Sequence, residues 1–89
     1  MLGTIIVDHE KRLLKLIVDR VYLSSRIERI KVSGRNRAIV LEGNRPLLRS
    51  KGLKHRRIDW RLIEGSLRSL SLHDSIIEQV DRLVRSLEK

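Results

Sequence analysis

Apolar and polar positions alternate in three different rhythms along this chain, and each rhythm predicts an element. Thr4 to Val7 is a short β-branched apolar run that suits an edge strand, with Leu2 and Gly3 fraying before it. From Asp8 onward Leu13, Leu14, Ile17, Val18 and Val21 recur at three- and four-residue spacing, with Lys11, Arg12, Lys15 and Asp19 between them. That period predicts an amphipathic helix over residues 9–22, capped by Asp8 and favoured by the negative charge of Glu10 in its first turn. A strand from Leu16 to Tyr22 is the competing reading, because Ile17, Val18 and Val21 also suit a sheet.

Residues 27–33 and 37–42 predict a hairpin. Ile30 and Val32 alternate with charge, Ile39 to Leu41 is apolar, and Gly34 to Asn36 supplies turn chemistry. Gly43 to His55 holds the only Pro and reads as irregular, with Leu47 and Leu48 as its anchors. Ile58, Trp60 and Leu62 then alternate with Asp59, Arg61 and Ile63, which predicts a third strand over 58–64 ended by Gly65, with Trp60 in the core. Leu72, Ile76, Ile77, Val80, Leu83, Val84 and Leu87 mark one face of a helix over 72–88, with Ser71 and Asp74 as its capping pair. The expected fold is a single α+β domain over residues 1–89, of order (β)-α-β-β-β-α: a three- to four-stranded, mostly antiparallel sheet with two helices on one face.

The helix, three-strand, helix order is similar to the topology of double-stranded-RNA-binding domains. That family's glycine- and lysine-rich start of the final helix is missing, since Ser71, Leu72, His73 and Asp74 stand in the corresponding place. The similarity is one of topology alone, and no functional residue is carried over from it.

Charge changes the picture. The 89 residues hold 20 Lys and Arg against 11 Asp and Glu, a net charge of +9. Residues 1–25 contribute +1, residues 26–68 contribute +9 and residues 69–89 contribute −1. If two helices cover one sheet face, the cations of the middle segment concentrate on the other face and its loops. A surface of that kind attracts polyanions, because each neutralised phosphate releases condensed counterions. The excess of 14 Arg over 6 Lys favours paired contacts to phosphate oxygens. Simple solvation of the sheet by its charges is the competing explanation.

The densest cluster, Arg49 to Arg57, reads RSKGLKHRR. The expected nucleic-acid-binding residues are therefore Arg45, Arg49, Lys51, Lys54, His55, Arg56 and Arg57, with Arg35 and Arg37 at the hairpin tip. Tyr22 and Trp60 are the only aromatic residues, too few for a base-stacking platform, so a duplex or structured nucleic acid bound without sequence preference is the expected partner.

Other chemistry finds little purchase. There is no Cys, and His9, His55 and His73 are dispersed, so neither a metal nor another cofactor is expected. Glu28 beside Lys31, and Asp59 with Glu64, fit no nuclease motif, and no Ser lies in a nucleophile elbow. The expectation is a non-enzymatic protein. The longest apolar run, Ala38 to Leu41, is far below the roughly 20 residues of a membrane span, and the N-terminus does not resemble a secretory signal. No membrane association is expected, and the cytoplasm is the default location. The alternative function is a protein-interaction or homodimerisation module that recruits another chain through an apolar helical face or an open strand edge.

Overall fold

A computed structural model describes residues 2–67 and 69–87. Its elements are β1 (Gly3–His9), β2 (Arg12–Leu23), β3 (Glu28–Ser33), β4 (Ala38–Gly43), α1 (Arg45–Ser50), β5 (Trp60–Glu64) and α2 (Leu70–Ser86). The five strands form one antiparallel sheet in the order β1-β2-β3-β4-β5. The α+β class matches the expectation. The order and the strand number do not.

The correction lies in the first third of the chain. The expected helix over 9–22 is strand β2, paired with β1 from Gly3↔Val18 to His9↔Arg12 and with β3 from Ile17↔Ser33 to Leu23↔Glu28. Leu14, Leu16 and Val18 face the core, and the intervening Leu13, Lys15 and Ile17 are exposed on the other face. Apolar residues on both faces of one strand produced a spacing that mimics a helix. With the first helix gone, the topological likeness to double-stranded-RNA-binding domains is lost.

The turn between β1 and β2 consists of Glu10 and Lys11, both left-handed at φ 51° and 62°. Two such residues make the mirror-image turn whose twist matches a two-residue hairpin. At the other end of β2 a bulge between Arg20 and Tyr22 shifts the register.

The expected hairpin is present as β3 and β4, and the expected third strand as β5, with Ile58 buried just before it. The segment expected to be irregular contains the short helix α1. Helix α2 begins at Leu70 rather than at 72, and its cap is Ser69, whose hydroxyl accepts from the Leu72 N–H, rather than Ser71.

Ile76, Val80 and Val84 of α2 lie four residues apart and pack on Ile5, Val7, Val18, Ile30, Val32, Ile39 and Leu41 of the sheet. Trp60 is partly buried against this cluster. It lies over its cross-strand partner Gly43, where a Cβ would meet the indole ring at 2.6 Å. Among the described residues, no helix is long and apolar enough to cross a membrane.

The uncovered face of the sheet is not the basic surface expected. It carries Lys15, Arg29, Lys31 and Arg61 against Asp8, Asp19, Glu42 and Glu64, four of each sign. Arg29 is paired with Glu42 at 3.1 Å.

Candidate nucleic-acid interface

The cations absent from the open sheet face gather in α1 and the segment after it. Pro46 sits in the first turn of α1, where its missing N–H costs nothing. The Leu47 N–H donates to the Arg26 carbonyl at 3.2 Å, fastening the helix to the β2–β3 turn. At the other end Gly52, at φ 70°, lets Leu53 N–H reach back to the Leu48 carbonyl at 2.7 Å and its own N–H to that of Arg49 at 3.1 Å. This paired closure needs a left-handed residue, which glycine adopts without strain. A further turn follows, with Arg56 N–H donating to the Leu53 carbonyl.

Helix α2 then holds this loop from behind. Arg85 donates through Nη1 to the Lys54 carbonyl at 3.2 Å and through Nη2 to the Arg56 carbonyl at 3.0 Å. Its Nε donates to Asp81 at 2.8 Å, and the other oxygen of Asp81 accepts from Trp60 Nε1 at 3.1 Å. Asn44 accepts from the Asp59 N–H at 2.9 Å, closing the loop at its far end. The backbone of the loop is therefore anchored through its carbonyls, which leaves its side chains outside.

Those side chains are Arg49, Lys51, Lys54, His55, Arg56 and Arg57, and all six are exposed. None of the five Arg and Lys forms an ion pair with a described residue. Five such cations within nine residues raise the local positive potential, which attracts a polyanion.

Arg45 occupies a different position. Its side chain is 11% exposed and is paired with Glu28, which is wholly buried; Arg20 lies 3.6 Å from the same carboxylate. Arg20, Arg45 and Arg49 line one wall region of an open cleft of about 750 Å³, together with Ser24, Ser25 and Ser50. Sequence reasoning missed Arg20 because it fell inside the expected helix. The alternation Leu16, Val18, Arg20 on one strand face was the available signal.

Arg35 and Arg37 are not part of this cluster. They sit at the β3–β4 turn, where Gly34 N–H donates to the Arg37 carbonyl at 2.8 Å. The whole of β4, roughly 20 Å of extended chain, separates that turn from α1.

Neither aromatic ring offers a stacking surface beside the loop. Tyr22 lies on the open sheet face beneath Arg29, 5.0 Å from the ring centre, and Trp60 is committed to Gly43 and Asp81. Among the described residues no three His, Asp or Glu side chains converge as metal ligands would. Comparison with protein-family models, curated proteins and solved structures gives no match.

Proposed function

We propose that this is a small non-enzymatic protein that binds duplex or structured nucleic acid through phosphate contacts from residues 49–57. One observation carries the reading: five exposed cations, none of them ion-paired with a described residue, project from the last turn of α1 and the loop after it, whose backbone is fixed by Arg85 and Gly52. A fixed array loses little conformational entropy when it meets a phosphate backbone. The lack of an available aromatic ring favours backbone contact over stacking on single-stranded bases. Arg20 and the cleft beside Arg49 extend the positive surface, and Arg35 and Arg37, at the far end of β4, form a separate cationic site outside this cluster.

The test is fluorescence anisotropy with labelled duplex DNA, duplex RNA and a single strand, titrated across salt concentrations. Duplex affinity should fall linearly on a log-log salt plot, with a slope corresponding to about three to five phosphate contacts. Replacing Arg49, Lys54, Arg56 and Arg57 together with Glu should lower affinity by roughly 100-fold or more. Absence of binding near ~50 mM salt, or binding that survives the quadruple change, would overturn the reading.

A further inference from the structure

We infer that the open face of the sheet docks a second copy of this chain, sheet against sheet, about a twofold axis that lies between the two sheets, parallel to them and perpendicular to β2, above Ile17. Helix α2 covers one face of the sheet, and no described element covers the other. That other face exposes Ile6, Leu13 and Ile17 at 57%, 74% and 45%. Ile6 stands opposite Lys15 in the register, so Leu13 and Ile17 are its two diagonal neighbours on β2 and the three apolar side chains surround that of Lys15. Three exposed large aliphatic side chains clustered on one sheet face, on a chain with 35% charged residues, point to an interaction site.

Charge selects the occupant. The chain carries +9, yet this face holds four charges of each sign, so it neither attracts a polyanion nor matches a strongly acidic protein. Strand β2 supplies the pairing rule. Lys15 and Asp19 flank Ile17 at two residues on either side and, by the period of a strand, share its face. A twofold axis perpendicular to β2 at Ile17 exchanges their positions. It sets Ile17 on its symmetry mate, and Lys15 of each copy against Asp19 of the other. A carboxylate accepts from more than one donor, so the Lys15 that crosses the axis adds to the interaction Asp19 already makes within its own chain. A foreign partner would have to carry this order by chance, whereas a second copy carries it by symmetry.

Five strands spaced ~4.8 Å apart, over about five residues of length, give roughly 400 Å² of projected sheet per copy, which places the dimer in the small, concentration-dependent class. The basic loop is tied to α2 on the opposite side of the sheet, so docking leaves it accessible.

Sedimentation velocity of the full chain from about 1 to 500 µM tests the inference. The mass should rise with concentration toward twice 10.4 kDa, and Ile17→Glu, a change at an exposed position, should hold it at one chain mass throughout. Lys15→Asp and Asp19→Lys should each weaken association about tenfold, and the two combined should restore it, because the swapped charges again meet across the axis. A wild-type chain that remains monomeric at the highest concentration, or a dimer indifferent to Ile17→Glu, would overturn the proposal. A double swap no better than either single change would overturn the twofold axis at Ile17.

Discussion

Arg45 donates from both Nε and Nη2 to the carboxylate of Glu28, a side chain with no solvent exposure, and so ties α1 to the start of β3. Arg20 of β2 approaches the same carboxylate, which places two cations around one buried anion. Removing one member of a buried pair leaves the other desolvated and uncompensated.

Glu28→Leu and Arg45→Met should therefore each lower the free energy of unfolding by about 3 kcal/mol, whereas the two combined should cost clearly less than the sum of the single changes. Urea denaturation in a double-mutant cycle reads the coupling. A coupling below ~0.5 kcal/mol would mean that the pair is not energetically linked.

The β1–β2 turn offers a gain in stability rather than a loss. Glu10 and Lys11 both hold positive φ, a conformation that disfavours side chains with a Cβ and suits Asn and Gly. Glu10→Asn with Lys11→Gly should stabilise the chain by about 0.5–1 kcal/mol, an increase of several degrees in Tm at this size. An unchanged or lower Tm in calorimetry would show that the turn carries no such strain.

Asp81 separates fixed loop geometry from net charge. It holds Arg85 on one oxygen and Trp60 on the other, and Arg85 in turn holds the loop carbonyls. Simple electrostatics predicts that Asp81→Ala, which deletes a negative charge, strengthens polyanion binding. If the loop must be held in place, the same change weakens binding by about threefold despite the added net positive charge. Anisotropy titrations at a single salt concentration decide between the two signs.

Different parts of the chain were legible to different degrees, and the reason lies in the number of faces each element buries. In β3 and β4 the alternation of Ile30, Val32, Ile39 and Leu41 is unambiguous, and α2 shows its four-residue rhythm at Ile76, Val80 and Val84, because each of these faces meets the core. Strand β2 has apolar residues on its covered face, at Leu14, Leu16 and Val18, and on its open face, at Leu13 and Ile17. Their sum reproduces a helical spacing, and only the pairing of β2 between β1 and β3 resolves it. The basic cluster 49–57 was visible as composition. Gly52 was a local signal for its turn, whereas the contacts that hold it to α2 come from Arg85, 31 and 29 residues from Lys54 and Arg56, and no local pattern announces them.

By itself the amino-acid sequence determined the α+β class, the two central strands, the final helix and the location of the excess positive charge along the chain, since period and composition are local quantities. Tertiary structure decided that residues 12–23 form a strand, that Arg45 turns inward to Glu28, that Arg35 and Arg37 lie a strand's length from the basic loop, and that the open sheet face is apolar and charge-balanced. Each of these depends on which segments lie side by side, and strand pairing between residues distant in sequence is a non-local choice that local spacing cannot encode.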